Sequence, residues 1–166
     1  MRKKLDTKSL VEKIEEITQK RMKENKVVSL EEYRCLAVKK TPPTVLIIED
    51  DEIMRRALCR LFEDEGYKVL SAADGTQLSR VLDDSGVDII ILDIGLPWIN
   101  GFELATLLKD HDQLKELPLI FISGRTDEED IKKAFDVGAD DFIKKPFDIE
   151  QMKAAVSTLM KLHHDK

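Results

Sequence analysis

Ile89-Ile90-Ile91-Leu92-Asp93 is the stretch on which the fold turns: four large apolar residues in a row, three of them β-branched, and then a carboxylate. The run is short and shows no polar alternation. It reads as a strand covered on both faces, as in a parallel sheet flanked by helices. Working outward, Val45-Leu46-Ile47-Ile48 leads into Glu49-Asp50, and Leu119-Ile120-Phe121-Ile122 leads into Ser123. Asp141-Phe142-Ile143-Lys144 leads into Lys145-Pro146. Strands are predicted at 45–49, 68–72, 87–92, 119–123 and 141–144, separated and followed by amphipathic helical segments at 53–65, 76–83, 102–109, 128–137 and 149–162. Gly66, Gly86 and Gly138 stand just past helix ends, where a left-handed residue is often required. Asp127 and Asp148 occupy N-cap positions. Regular β/α alternation implies right-handed crossovers and an α/β, doubly wound parallel sheet of five strands.

The bulk numbers agree with one domain plus an appendage. The chain has 166 residues, 42% apolar and 36% charged. No apolar stretch approaches the ~20 residues that cross a bilayer. Residues 5–20 are amphipathic and acidic-rich rather than a continuous apolar leader, so a cytoplasmic protein is expected. Thr41-Pro42-Pro43-Thr44 marks a boundary, because two prolines remove backbone donors and force the preceding residues out of the helical region. The predicted organisation is a helical, mildly basic extension at 1–40, a proline-rich linker at 41–44 and a domain at 45–164. Ser9 with Glu12, and Ser29 with Glu32, are capping-box signals for two short amphipathic helices in the extension. Such helices cannot bury a core alone. Three readings stay open for the extension: pairing with a second copy, docking on its own acidic domain, or binding another macromolecule.

Residues 1–40 carry twelve Lys/Arg against seven Asp/Glu, and residues 41–166 carry fifteen against twenty-six. The domain is thus strongly acidic, which argues against nucleic-acid binding by its own field. Cys35 and Cys59 form no metal-ligand or disulfide pattern and are expected to be reduced. His111 and His163-His164 are expected at solvated positions.

Ligands of open parallel sheets bind outside the carboxyl ends of the strands. Glu49, Asp50, Asp93, Ser123 and Lys145 should therefore gather at one edge. Carboxylates ~4 Å apart at an effective dielectric of ~20 repel by roughly 4 kcal/mol per pair. A hard divalent cation such as Mg²⁺ relieves that cost and lets a phosphate approach. Asp93 would then be a nucleophile forming an acyl phosphate, Ser123 a hydroxyl donor to a phosphoryl oxygen, and Lys145 a compact positive charge. Gly124 leaves space beside Ser123, and Lys145-Pro146 is a candidate cis peptide.

Several motifs carry a resemblance. They are Val45-Leu46-Ile47-Ile48-Glu49-Asp50-Asp51, Leu92-Asp93-Ile94-Gly95-Leu96-Pro97, Asn100-Gly101-Phe102-Glu103, Phe121-Ile122-Ser123-Gly124 and Gly138-Ala139-Asp140-Asp141-Phe142-Ile143-Lys144-Lys145-Pro146-Phe147. Residues 44–163 resemble the receiver domain of two-component response regulators, in the single-domain, chemotaxis-regulator-like form. The resemblance implies a flavodoxin-like strand order 2-1-3-4-5 and a phosphoacceptor switch of phosphorelay signal transduction rather than a turnover enzyme. It makes Asp93 the phosphoacceptor, and Asp50, Asp93 and the backbone carbonyl of Gly95 the ligands of Mg²⁺, with Mn²⁺ as a substitute. Glu49 would act through a metal-bound water, Ser123 as the switch hydroxyl, Lys145 as the phosphoryl-binding lysine and Phe142 as the switch aromatic.

The implied partners are a sensor histidine kinase or phosphotransfer protein and an unidentified downstream protein. A homodimer is a further expectation, formed through the extension or the face of helix 128–137, strand 141–144 and helix 149–162. No effector domain is expected after the receiver, and neither membrane insertion nor nucleic-acid binding by the receiver is expected. This sequence departs from the pattern at Glu49, where many members have Asp, and Phe142 lacks a tyrosine hydroxyl. Trp98 is either loop packing or a partner anchor, and Arg125 sits where dephosphorylation rate is tuned in the family. Three rivals share parts of the pattern. A flavodoxin-like nucleotide or flavin binder would need a Gly/Ser/Thr-rich phosphate-cradling loop after the first strand, where Glu49-Asp50-Asp51-Glu52 stands. A haloacid-dehalogenase-like phosphatase would need an acid two residues after Asp93, where Gly95 stands, and a non-phosphorylated pseudo-receiver would not need the intact acidic cluster.

Overall fold

The computed structural model describes residues 12–16, 41–84, 86–125 and 127–164. The chain divides into two compact units, Met1–Thr41 and Pro42–Lys166. In the first, residues 12–16 are helical. Ser9, the segment opened by Ser29, and Cys35 lie outside the described residues.

The second unit runs β1 (Thr44–Ile48), α1 (Glu52–Asp64), β2 (Lys68–Ala72), α2 (Gly75–Asp84), β3 (Ile89–Asp93), α3 (Gly101–Asp110), β4 (Leu119–Ser123), α4 (Glu128–Asp136), β5 (Asp141–Lys144) and α5 (Ile149–His164). The strands form one sheet in the order β2-β1-β3-β4-β5, every pair parallel. The doubly wound expectation is borne out, and its cause is visible in the side chains. Leu46, Ile48, Ile90, Leu92 and Phe121 pack with Leu78 of α2, Leu104 and Leu108 of α3, and Ala134 of α4. The alternate residues Val45, Ile47, Ile89, Ile91, Ile120 and Ile122 pack with Leu58 and Phe62 of α1, and with Met152 and Val156 of α5. Each fully buried side chain of this size contributes about 1.5–3 kcal/mol, so both faces of the central strands hold the helices on.

Two aspartates close the amino ends of the strands. Asp88 Oδ2 accepts the Thr44 N–H at 2.7 Å, and Asp140 Oδ2 accepts the Leu119 N–H at 2.9 Å. The carboxyl ends are left for chemistry.

Boundaries differ slightly from expectation. Asp93 is the last residue of β3, in register with Ile122, rather than the first residue after it. Glu49 lies just beyond β1, although its N–H still donates to the Ala72 carbonyl at 3.1 Å. Gly66 and Gly138 adopt φ of 86° and 95°, as their positions demand. Gly86 does not, and the space beside it is open. Asp148 caps α5 through the Glu150 N–H at 2.8 Å, whereas Asp127 precedes α4 without a side-chain cap bond. The Lys145–Pro146 peptide is cis.

Candidate functional site

The carboxyl ends of β1, β3, β4 and β5 carry the residues singled out above, and the parallel register brings them to one rim. Glu49 is 1% exposed and Asp93 6%. Asp50, directly between β1 and α1, is exposed. Glu49, Asp50 and Asp93 each offer one carboxylate oxygen, and these oxygens all lie within 4.8 Å of one another. Asp51, the fourth acid of the region, is used otherwise: its Oδ1 accepts the Met54 N–H at 2.7 Å and caps α1.

Lys145 reaches back from the end of β5 to join the cluster. Its Nζ donates to Glu49 Oε2 at 2.7 Å and lies 3.3 Å from Asp93 Oδ1. One ammonium therefore bridges two enclosed carboxylates. The Lys145 N–H donates to the Ser123 carbonyl at 2.8 Å, which ties the lysine to the end of β4. Ser123 is 1% exposed, and its Oγ accepts the Arg125 N–H at 2.9 Å. The Gly95 N–H donates to Asp93 Oδ1 at 3.3 Å. Phe142 stands apart from this group. It pairs in register with Phe121 and packs half-buried against the apolar cluster beneath α2, α3 and α4.

Burial pushes the Glu49 carboxyl above its ordinary value, and the Asp93 charge adds to that. The Lys145 hydrogen bond and the Asp51 N–H oppose it without cancelling it. Burial would lower the Lys145 ammonium, but its hydrogen bond to Glu49 and the charges of Asp93 and Glu49 prevail and raise it. Between 4.5 and its raised folded value, Glu49 binds more protons in the folded state, so its contribution to stability falls as pH rises through that window. The Lys145 contribution is present below 10.5 and is lost as pH rises through its folded value. Metal-free Glu49→Gln should match wild type below pH 4.5 and become the more stable protein above it. Urea midpoints across that range, measured with chelator present, check this. A variant that lost stability with rising pH relative to wild type would refute the assignment.

The donor set suits a hard cation. All three acids present oxygen, one of them is exposed, and three carboxylates against one ammonium leave two formal negative charges, matching a divalent ion.

Two residues of the site were given no role by the sequence reading, although Gly101 stood in a motif that it quoted. Arg55 Nη1 donates to the carbonyls of Glu49 and Asp50 at 3.0 and 3.1 Å. A basic side chain in the first turn after an acidic run was the available signal. Gly101 begins α3 against the end of β3: a Cβ there would lie 2.5 Å from Ile94 Cα and 2.8 Å from the Asp93 carbonyl oxygen. A glycine directly after the cap residue Asn100, where helix propensity alone favours almost any other residue, was the clue.

Trp98 packs within the domain and is partly buried. Its indole N–H donates to the Ala73 carbonyl at 3.1 Å and its ring lies against Gly75, bracing the loop after β3 on the loop after β2. His111 is exposed, and its Nδ1 accepts the Gln113 N–H at 3.3 Å. Burial raises the Cys59 thiol, which packs beside the α1 cluster. No helix among the described residues is long and apolar enough to cross a membrane.

Residues 45–157 match the family described as response regulator receiver domain. The aerobic respiration control protein ArcA of Escherichia coli (strain K12) is 36% identical over 118 residues, covering 71% of this chain and 48% of that protein. Response regulator SaeR of Staphylococcus aureus (strain USA300) is 35% identical over 126 residues, covering 73% and 54%. The solved structure of Vibrio cholerae chemotaxis protein CheY4 superposes with a TM-score of 0.67 at 27% identity, over 72% of this chain and 99% of that one. The chain spans about half the length of the curated relatives it matches. With the sheet order, the acidic rim and the family match in agreement, the chain belongs to the receiver domain family of response regulators, the signalling switches of two-component systems.

Proposed function

We propose that Asp93 accepts a phosphoryl group from a sensor histidine kinase or phosphotransfer protein, and that the acyl phosphate acts as a signal. The observation that carries this is the Lys145 ammonium bridging Glu49 and Asp93 beside the exposed carboxylate of Asp50. Such a rim has no packing purpose, and it can accept a phosphoryl group only when its charge is offset. Asp50, Asp93 and the Gly95 carbonyl would hold Mg²⁺ or Mn²⁺, with Glu49 behind a bound water. The ion, when bound, supplies the positive charge that lets a phosphate approach and steadies charge on its oxygens.

The chain's own residues do the rest. An Asp93 carboxylate oxygen forms the new bond to phosphorus, while the bond from phosphorus to the donor's histidine nitrogen breaks and its electron pair leaves with that nitrogen. Lys145 holds Asp93 ready beforehand, and afterwards serves one phosphoryl oxygen as its partner. Ser123 already uses Oγ as an acceptor from Arg125 N–H, so its proton stays available for another phosphoryl oxygen. Gly95, two residues after Asp93, carries no acid to activate water, which favours a lasting acyl phosphate over phosphatase turnover.

The switch proposed is a population shift in which Ser123 moves toward the phosphoryl group and Phe142 follows, altering the face of α4, β5 and α5. A downstream protein or a second copy would read that face, or be engaged by residues 1–40. We propose the division into an extension at 1–40, a linker at 41–44 and a receiver at 45–164 on the same basis. The acidic receiver offers no field for nucleic acid.

The test is incubation of the full chain with a small acyl-phosphate donor. One hydroxylamine-labile phosphoryl group per chain is expected with Mg²⁺, and its rate of formation should drop more than roughly hundredfold with chelator, since such ions supply several kcal/mol. Labelling indifferent to metal, or a hydroxylamine-stable product, would overturn the reading.

A further inference from the structure

Glu49 is almost fully enclosed, and its main chain needs a partner as much as its carboxylate does. Its N–H still serves the β1–β2 ladder, but β1 has ended, and the carbonyls of Glu49 and Asp50 have left the sheet. The Glu49 carbonyl is partly buried and needs a donor from the protein, while the Asp50 carbonyl is exposed and can also take one from water. Turning either peptide would re-aim two of the three acids of the rim.

Arg55 supplies a donor to both carbonyls. One guanidinium nitrogen, Nη1, spends both hydrogens on the turn, donating to Glu49 O at 3.0 Å and to Asp50 O at 3.1 Å. The arginine itself is anchored, because its N–H donates to the Asp51 carbonyl at 2.9 Å in the first turn of α1. Asp51 closes the loop from the other side: it caps α1 by accepting from Met54, and its N–H donates to Glu49 Oε1 at 3.1 Å. The acidic turn is thus held by a side chain from the helix that follows it.

We propose that Arg55 is a positioning residue for the divalent cation, holding the Glu49–Asp50 backbone so that the oxygens of Glu49, Asp50 and Asp93 converge. This rests on the reading of that cluster as a cation site. The charge of the guanidinium points the other way, which makes the inference sharp. Acting only as a positive charge near the pocket, Arg55 would weaken cation binding, and its removal would tighten it. Acting by position, its removal loosens binding. Lysine separates the two further, since it keeps the charge but lacks the planar pair of hydrogens on one nitrogen. Arg56, exposed and paired with Glu52 on the outer surface of α1, supplies the charge control.

The experiment is calorimetric titration of the full chain with Mg²⁺ or Mn²⁺ alone, for wild type, Arg55→Lys, Arg55→Ala and Arg56→Ala. It is joined to amide hydrogen exchange at Asp51 in metal-free protein. Both Arg55 variants should bind the ion more weakly by roughly tenfold or more, the range seen when partners behind metal ligands are removed, while Arg56→Ala stays close to wild type. Asp51 exchange should quicken in the Arg55 variants without any metal. Arg55→Lys, which keeps the charge and the aliphatic stem, carries the test should the alanine variant fail to fold. Unaltered or tighter binding in Arg55→Lys overturns the inference and leaves the site reading intact. Weaker binding with Asp51 exchange unaltered overturns it also. A wild-type chain that takes up neither ion overturns the site reading and this inference with it.

Discussion

Asp93→Asn is expected to abolish phosphoryl labelling while the fold stays in place. The amide has nearly the shape of the carboxylate and can still accept the Gly95 N–H and face Lys145. It is not a nucleophile toward phosphorus, and it has no spare negative charge with which to form an acyl phosphate. The structural cost is small, because the substitution also removes the repulsion between Asp93 and the enclosed Glu49. The thermal midpoint of metal-free protein should therefore not fall. Labelling with a small acyl-phosphate donor, followed by circular dichroism of the same samples, reads both halves. Label retained at wild-type level would place the acceptor at another residue. Label lost together with the fold would remove Asp93→Asn as evidence about chemistry.

Gly101→Ala should destabilise the domain by about 3 kcal/mol, a large share of the 5–15 kcal/mol that a typical domain has. Two effects compete here. Alanine is the better helix former by about 1 kcal/mol, which alone would predict a gain. Against it stands a Cβ only 2.5 Å from Ile94 Cα and 2.8 Å from Asp93 O, with backbone rather than a flexible side chain on the opposing side. Backbone cannot rotate away, so the clash prevails. Relief would come from moving α3 or the end of β3, and β3 carries Asp93 at its last position. Reduced labelling should thus accompany the lower denaturation midpoint. A Gly101→Ala variant with an undiminished urea midpoint would show that α3 does not approach β3 this closely.

The strands were legible because three of them are uninterrupted apolar runs, a pattern that only a sheet with both faces covered explains. Their ends were less so. Hydrophobicity stops at Leu92, but pairing does not, and the register with Ile122 carries Asp93 into β3. Acids and hydroxyl were found for a topological reason, since parallel strands deliver all their carboxyl ends to one rim. That Lys145 would face Asp93 was expected, but its bond to Glu49 was not. Lys145 meets Glu49 across 96 positions, and no local pattern announces that one ammonium spans two carboxylates. Arg55 and Gly101 were left without a role for a shared reason: both act on main-chain atoms, which have no residue identity to pair with. Trp98 was ambiguous until Ala73 and Gly75 were seen beneath it, because the partner of a loop tryptophan lies on another loop.

The order of the strands leaves β2 and β5 at the outside of the sheet. Both are poor templates for cross-β growth. β2 opens with the exposed Lys68, and β5 has four residues, ends on the exposed Lys144, and runs through Lys145 into Pro146, which has no N–H to donate. Short margins bearing lysines and a proline discourage fibril formation by neighbouring copies. On the β5 side, the same few residues that deliver the ammonium to the rim also disfavour pairing with another edge.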